Sequence, residues 1–355
     1  MLLPCARREL SLLLLTLCLW SPLGAQRLPA RPLRPEDTPA LPAEDDDTIV
    51  PAAVEAEAPK ADEPEASEPT LQPVRDWLEA QVELSRRGFS CGSIDGVRGP
   101  QSATALSAFQ RNEGLNETGQ LDAATRAVLL LTAPALTRHV FTTEELAQLQ
   151  PVPDTWLGKS EQSVLYYATP LEFAAERYRA SPKYLTKLNP GLDWTEISAG
   201  TTIQVPAVGL FTPPKKATLL HVQLAEHVLE ATDETGRIIA HFPVSIARNV
   251  EKRPVGELHV TVIIPNPNYT FDPEVFTESE EAKELGRKLI IPPGPNNPVG
   301  LAWVGLDRTG YGIHGTPEPE KVGRTESHGC FRLANWDARA LLQLVTVGMP
   351  VIVEP

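Results

Sequence analysis

The sequence predicts a multidomain chain in which a small all-α domain of three helices, a βααβ module and a mostly-β sandwich or partly closed barrel follow one another. Three patterns predict this architecture. Apolar residues recur at helical spacing in residues 73–132, and residues 163–207 read strand, helix, helix, strand. Residues 217–355 carry apolar runs broken by turn residues and prolines, which favours short strands joined by irregular loops.

Residues 1–25 have the pattern of a secretory signal peptide. Arg7 and Arg8 precede an apolar run from Leu10 to Trp20, and small residues follow before the expected cleavage site. The run is too short for a membrane span, and no later segment approaches about 18 consecutive apolar residues. Retention as an anchor and lipidation at Cys18 are the weaker alternatives. We expect an exported protein of the periplasm or cell wall, with no membrane span in the mature chain.

Residues 26–70 form an acidic, proline-rich segment. It contains nine prolines, twelve Asp and Glu and four Lys and Arg, so it carries −8 of the formal chain charge of −14. A segment of this composition cannot bury enough apolar surface to offset the entropy lost on ordering, which predicts a disordered linker. A tether across a porous layer and an inert spacer fit equally well. The acidity argues against nucleic acid as a partner, because nucleic acid requires a basic face.

Cleavage of the signal peptide leaves two cysteines, Cys91 and Cys330. An exported protein meets oxidants, so a disulfide between them has to be weighed. The two residues fall in different predicted domains, however, and a bond would block the thiol of Cys330. We therefore interpret Cys91 as a small buried apolar residue and Cys330 as a free thiol.

In residues 73–132, Gly88 ends the first predicted helix, Gly99-Pro100 begins the second and Asp122 is the N-cap of the third. The segment resembles the peptidoglycan-binding domain found on many cell-wall enzymes. The residues that carry the resemblance are Gly88-Phe89, Ile94-Asp95-Gly96, Gly99-Pro100, Ala105, Phe109-Gln110, Gly114-Leu115 and Thr125. The resemblance implies binding to peptidoglycan. These are mostly core and turn positions, so a packing module is the alternative.

In residues 163–207, residues 164–167 and 203–206 read as the two strands, and Asn189-Pro190-Gly191 ends the second of the helices between them. The segment resembles a LysM module, which implies binding to glycan strands that contain N-acetylglucosamine. The matching residues are Leu171, Tyr178, Leu185, Asn189-Pro190, Ile197, Gly200 and Ile203–Pro206. The family's Gly-Asp-Thr turn, in a loop that helps to form the sugar groove, is here Ala168-Thr169-Pro170. A structural spacer is therefore the alternative.

Residues 217–355 are predicted to form the β-rich domain, with a helix at each of two places. The strand-like stretches are Leu219–Leu229, Ile238–Ile246, Leu258–Ile264, Leu301–Val304, Tyr311–Ile313 and Val351–Val353. The helices are Glu278–Leu289 and Trp336–Val345. The second helix directly follows the cysteine motif, which places this motif on a loop between a strand and a helix.

The cysteine motif is Ser327-His328-Gly329-Cys330-Phe331-Arg332, with His314-Gly315-Thr316 upstream. A thiol is a good nucleophile only as the thiolate, and an imidazole nearby both lowers its pKa and carries its proton. The pattern therefore indicates cysteine-based acyl transfer. A metal site is not expected, because no second cysteine joins His328 and Cys330 and no zinc-type pair spacing is present. We expect no cofactor.

Together these segments resemble the signature of the L,D-transpeptidase (YkuD-like) catalytic domain. Supporting matches are Phe242-Pro243-Val244-Ser245, Pro254-Val255-Gly256, Asn266-Pro267 and Pro293–Gly300. Val255 stands where the family has threonine. The proline- and glycine-rich loop and the LysM-like module ahead of it most resemble the exported subfamily that forms meso-diaminopimelate cross-links or attaches an outer-membrane lipoprotein to the wall.

The resemblance implies a role for each residue of the site. The family's substrate is a tetrapeptide stem of peptidoglycan, so Cys330 would attack the amide before its terminal D-alanine, release D-alanine and form a thioester. His314 would be the proton donor and acceptor, and the Gly315 carbonyl would orient its other ring nitrogen. The backbone N–H groups of Gly329 and Cys330 would stabilise the oxyanion.

Three neighbouring residues are candidates for substrate binding. His328 either shapes the site and hydrogen-bonds substrate or is structural, and the Ser327 hydroxyl either binds substrate or stabilises a turn. Arg332 pairs either with a stem carboxylate or with a structural acid near Asp337.

Three classes of function stay open at this point. The favoured one is a transferase that moves the acyl group to an amine of another stem or of a wall-attached lipoprotein. An L,D-carboxypeptidase would use the same residues with water as the acceptor, and a non-catalytic protein would only bind peptidoglycan. The last is disfavoured because both His314 and Cys330 are present. The acceptor depends on the exclusion of water, which the sequence does not encode in any motif.

Overall fold

The computed structural model describes residues 71–209, 211–274, 280–324 and 329–355. The predicted signal peptide and the acidic linker lie outside these ranges. Within them, no helix has the length and apolar character that a membrane span requires.

The first part of the described chain, the helical domain, consists of three helices and one pair of short strands. Its elements are β1 (Gln72–Pro73), α1 (Trp77–Arg86), α2 (Pro100–Asn112), α3 (Ala123–Val128) and β2 (Leu130–Leu131), with β1 antiparallel to β2. The predicted boundaries are confirmed: Pro100 is the first residue of α2, and the Asp122 side chain accepts a hydrogen bond from Thr125 N. Gly88 follows α1 with φ at +87°, a conformation that glycine adopts without strain. Cys91 is unbonded and 2% exposed within this core, as predicted.

The second part, the middle module, contains four helices and one strand pair. Its elements are β3 (Leu136–Val140), α4 (Thr143–Ala147), α5 (Trp156–Ser160), α6 (Pro170–Arg177), α7 (Pro182–Leu188) and β4 (Thr202–Pro206). The predicted first strand at residues 164–167 is wrong, because β4 pairs instead with β3, in antiparallel register from Leu136 opposite Pro206. Residues 164–167 are extended but hydrogen-bond elsewhere, so their apolar run reflects burial against another part of the chain.

The third part, the β domain, is built on a mixed sheet. Its elements are β5 (Leu219–Gln223), β6 (Val228–Thr232), β7 (Ile238–Pro243), β8 (Gly256–Pro265), β9 (Tyr269–Phe271), α8 (Glu280–Leu285), β10 (Leu289–Ile291), β11 (Ala302–Leu306), β12 (Gly312–His314), β13 (Phe331–Arg332), α9 (Asn335–Leu344) and β14 (Pro350–Glu354). The sheet order is β13-β12-β11-β8-β14-β5-β6-β7, and β9 and β10 form a separate two-stranded sheet. The β5–β14 and β12–β13 pairs are parallel, and the other pairs are antiparallel.

The sheet curls until its two edges meet. Ser245, just after β7, and Arg332 of β13 exchange backbone hydrogen bonds of 2.9 and 3.0 Å. Of the two predicted alternatives, the structure therefore has the partly closed barrel and not the sandwich. Its interior holds the largest apolar cluster of the described chain, against which α9 packs.

Two elements of the β domain differ from prediction. The apolar run 219–229 is a hairpin, since residues 224–227 turn between β5 and β6. The predicted helix at residues 278–289 ends at Leu285 in the structure, and Leu289 begins a strand that pairs with β9. A short helical pattern cannot show this switch, because the strand forms only through its non-local partner.

Backbone pairing ties the three parts together. Ser90 N donates to His241 O and His241 N to Gly88 O, both at 2.9 Å, so the helical domain extends the edge of β7. Residue Ile94 pairs in the same way with the segment after α6. Leu165 N donates to Pro293 O at 2.8 Å, which joins the middle module to the proline-rich loop of the β domain.

Candidate active site

The cysteine motif lies beside β12 because of the register of the last two strands at this edge. Ile313 pairs with Phe331 and His314 with Arg332 in parallel. Ile313 and Phe331 are 0% and 1% exposed within the barrel core. Because side chains alternate along a strand, His314 and Arg332 project from the opposite face. Cys330 directly precedes β13, and its Sγ lies 3.5 Å from the carbonyl oxygen of Gly310, just before β12. The fold thus brings the histidine and the cysteine together at two adjacent strands.

The tautomer of His314 follows from one hydrogen bond. Its Nδ1 lies 2.7 Å from the carbonyl oxygen of Gly315, and because a carbonyl can only accept, Nδ1 carries the proton. The neutral ring then has a free lone pair on Nε2. Burial lowers the pKa of His314 to about 4, against the hydrogen bond to the Gly315 carbonyl, which raises it. At neutral pH the imidazole is uncharged and can accept a proton.

An indole covers this imidazole. The rings of Trp303 and His314 stack with centroids 5.7 Å apart and an interplanar angle of 21°. The indole also lies over two glycines of the sheet: a Cβ atom at Gly312 would be 2.6 Å from Trp303 Cζ2, and one at Gly305 would be 3.1 Å from Trp303 Nε1. Side chains at these two positions would displace the indole, so the glycines create the space in which Trp303 shields His314.

Cys330 is half-buried and is not part of a disulfide. Its Sγ donates to the Gly310 carbonyl at 3.5 Å. Burial raises the pKa of the thiol, while a backbone hydrogen bond from Gly312 and the charge of Arg332 lower it. The resting thiol is therefore protonated at neutral pH, beside a histidine that is also neutral.

Among the described residues, space around Gly329 is open. Of their atoms, a Cβ atom at this position would meet only Tyr311 Cε1, at 3.9 Å. The Tyr311 ring itself packs against the core. The guanidinium of Arg308 lies over this ring, with Cζ 4.6 Å from the ring centroid. Packing within the described chain therefore does not require a glycine at position 329, and the free space lies next to the thiol.

The other predicted binding residues are only partly described. Ser327 and His328 lie outside the described residues. Arg332 is half-buried and close enough to Cys330 to lower the pKa of the thiol. Asp337, near which a structural partner was expected, instead accepts a hydrogen bond from Ser90 Oγ at 2.9 Å, and its nearby positive charge comes from Arg179.

Sequence reasoning missed three residues of this site. Trp303 carried no motif. Tyr269 of β9 lies close enough to Cys330 and Arg332 to be affected by their charges, and burial is the main cause of its raised pKa. Asn335 is fully buried behind Gly315 at the start of α9.

Comparison with known families agrees with this geometry. Residues 217–353 match the YkuD L,D-transpeptidase catalytic domain, and residues 74–129 match a putative peptidoglycan binding domain. Residues 217–353 form an L,D-transpeptidase catalytic domain of the YkuD type. The helical domain ahead of it corresponds to the peptidoglycan binding domain.

Curated relatives carry the same catalytic domain. The chain is 28% identical over 185 residues to the putative L,D-transpeptidase YkuD of Bacillus licheniformis, covering 52% of this chain and 93% of that protein. It is 29% identical over 183 residues to the probable L,D-transpeptidase YbiS of Escherichia coli, covering 51% of this chain and 59% of that protein. The chain thus spans little more than half the length of the second relative.

Solved L,D-transpeptidase structures are similar at low identity. One from Xylanimonas cellulosilytica is 14% identical with a TM-score of 0.34, covering 82% of this chain and 100% of that chain. One from Mycobacterium smegmatis is 20% identical with a TM-score of 0.31, covering 44% and 65%.

Proposed function

We propose that this chain is an exported peptidoglycan L,D-transpeptidase that uses Cys330 as nucleophile and His314 as proton donor and acceptor. The observation that carries the proposal is the hydrogen bond from His314 Nδ1 to the Gly315 carbonyl. It leaves Nε2 without a proton on β12, next to which the strand register places Cys330.

In the first half-reaction the Cys330 sulfur attacks the carbonyl before the terminal D-alanine of a tetrapeptide stem. The thiol proton passes to His314 Nε2 as the S–C bond forms. The N–H groups of Gly329 and Cys330 hold the oxyanion, for which the open space at Gly329 leaves room. The C–N bond then breaks, His314 returns the proton to the leaving amine, and D-alanine departs from a thioester.

In the second half-reaction an amine attacks the thioester. His314 takes a proton from this amine and returns it to the departing Cys330 thiolate, so a new amide forms without an external energy source. The amine belongs to another stem or to a wall-attached lipoprotein. With water in its place the same residues would act as an L,D-carboxypeptidase.

Arg332, Ser327 and His328 are the proposed contacts to the stem. Arg332 lies on the same face as His314, and its charge suits a stem carboxylate. Ser327 and His328 precede Gly329 in the motif, and their proposed role rests on the sequence alone.

We propose that the helical domain binds peptidoglycan and that the signal peptide directs export to the periplasm or cell wall. Glycan binding by the LysM-like middle module is a weaker proposal than peptidoglycan binding by the helical domain. Residues on both sides of the loop that would border its sugar groove contact the β domain, because Asn296 Nδ2 donates to Tyr166 O at 2.9 Å and to Glu172 Oε1 at 2.6 Å. These hydrogen bonds favour a structural role of the module over glycan binding.

The test is incubation of the purified mature protein with disaccharide-tetrapeptide, with products identified by mass spectrometry. Wild type should give dimers and free D-alanine, and Cys330→Ala should give neither. Tripeptide without dimers would show the carboxypeptidase instead. Equal turnover by Cys330→Ala, or none by folded wild type, would refute the catalytic assignment. Sedimentation with insoluble peptidoglycan tests whether the helical domain binds it. The full-length wild-type protein is compared with the full-length variant Trp77→Ala, which is changed in this domain.

A further inference from the structure

A fully buried asparagine side chain lies at the start of α9. Asn335 is 0% exposed, and its amide makes three hydrogen bonds. Oδ1 accepts from Leu301 N at 3.1 Å, and Nδ2 donates to Pro295 O at 3.0 Å and to Glu176 Oε2 at 3.1 Å. Both amide hydrogens are used, so the plane of the side chain is fixed.

The amide oxygen packs directly against the peptide that holds His314. A Cβ atom at Gly315 would lie only 2.3 Å from Asn335 Oδ1, and one at Gly300 would lie 1.9 Å from it. The Gly315 N–H is held from its other side by the Ala302 carbonyl at 3.2 Å. The Gly315 carbonyl that accepts from His314 Nδ1 therefore belongs to a residue that is held by β11 through its N–H and packs against Asn335.

The far end of this contact chain lies in another part of the molecule. Glu176 belongs to α6 of the middle module and is 8% exposed. Its second oxygen accepts from the Tyr167 hydroxyl at 3.0 Å, so both carboxyl oxygens have partners. Contacts run without interruption from Glu176 through Asn335 and Gly315 to His314.

We propose that Asn335 is a positioning residue for His314 and that Glu176 fixes Asn335, so that the middle module completes the catalytic centre. This inference rests on the function proposed above, in which His314 is the general base. Asn335 touches neither substrate nor the reacting atoms; it acts by holding the Gly315 carbonyl where it sets the tautomer and direction of the imidazole.

The experiment compares full-length variants in D-alanine release from disaccharide-tetrapeptide. Loss of a residue that orients a functional histidine typically costs about 10- to 100-fold, so we expect a fall of this size in kcat for Asn335→Ala. KM should change less than about twofold, because uniform binding is untouched. Glu176→Ala should lower kcat in the same way by a smaller factor, and Glu176→Gln, which keeps an acceptor, should restore most of it.

Asn112→Ala is the matched control. Asn112 also uses both ends of its amide, donating to Ile238 O at 2.7 Å and accepting from Ile238 N at 3.0 Å, but it joins the helical domain to β7. It should lose stability and keep the wild-type kcat per folded molecule, with folding measured by circular dichroism.

A second readout does not need the substrate. The rate of Cys330 alkylation by iodoacetamide against pH reports the base that assists the thiol, and Asn335→Ala should alter the shape of this profile while Asn112→Ala should not. Unchanged kcat and an unchanged profile in folded Asn335→Ala would overturn the proposal. If Asn335→Ala does not fold, wild-type kcat in Glu176→Ala overturns the part played by the middle module. Absence of turnover in wild type would instead refute the proposed function.

Discussion

Replacing Trp303 by alanine tests the electrostatic account of the site most directly. Burial lowers the pKa of His314 from 6.5 to about 4. At about 1.4 kcal/mol per pH unit this difference is worth about 3 kcal/mol. The indole covers one of the two faces of the imidazole, in a stack of 5.7 Å between centroids. Opening that face to water should remove about half of the effect and raise the pKa to about 5.3.

The effect of Trp303→Ala on the rate of D-alanine release appears only at acidic pH. At pH 4.5 the neutral fraction of His314 should fall from about 76% to about 15%, a loss of about fivefold in the rate of D-alanine release. At pH 7.5 both proteins have a neutral imidazole, so the rates should differ little for this reason. The assay is the pH dependence of D-alanine release, together with NMR titration of His314 in protein labelled at histidine.

Trp303→Phe is the control, because a benzene ring still covers His314 and should leave the acid limb near that of wild type. The reasoning is refuted if folded Trp303→Ala keeps the wild-type midpoint. It is equally refuted if His314 of the wild-type protein titrates near 6.5, since burial would then not control its charge.

Two further predictions concern the support that the middle module gives to the β domain. Trp156 stacks on Phe271 at 4.4 Å, next to Tyr269, so Trp156→Ala should loosen β9 and β10, seen as faster amide hydrogen exchange in residues 269–271 and 289–291 while residues 228–232 are unaffected. Burial raises the pKa of Glu176 to about 7 from 4.5, so the stability it contributes is present in acid and lost as the pH rises through 7. Between pH 4.5 and 7 the free energy of unfolding of the wild-type protein should therefore fall by at most about 3 kcal/mol, seen as a lower Tm, and in Glu176→Gln it should fall less; equal slopes for the two proteins would contradict this prediction.

Local signals predicted the helical domain well. Its helices begin and end at residues with local backbone roles, such as the Asp122 cap and the Pro100 start, and these are visible in the sequence. The first strand of the middle module was misplaced for the opposite reason. Residues 164–167 are apolar because Leu165 is buried beside Phe271 and bonded to Pro293, and such a distant contact leaves no local periodicity.

For the site, the sequence predicted the residue types and the structure supplied their surroundings. The spacing of His314 and Cys330 indicated the pair, but it could not show that a parallel strand pair brings them together. The support from Trp303, Asn335 and Glu176 was not foreseen, because an indole on glycines and a buried amide depend on contacts between segments up to 159 residues apart. Single-sequence patterns carry little information about such contacts.

The protonation of the pair has a consequence for how the reaction starts. Burial raises the pKa of Cys330 and lowers that of His314, so both shifts disfavour a resting thiolate beside an imidazolium. The proton must then move while the sulfur attacks, and the rate depends on how well Nε2 is aimed at the thiol at that moment. A site with a preformed ion pair would tolerate some motion of the histidine, because charge attraction acts over a distance. A neutral pair has only hydrogen-bond geometry, which explains why His314 is held by Gly315 and Trp303 and why Asn335 in turn packs against Gly315.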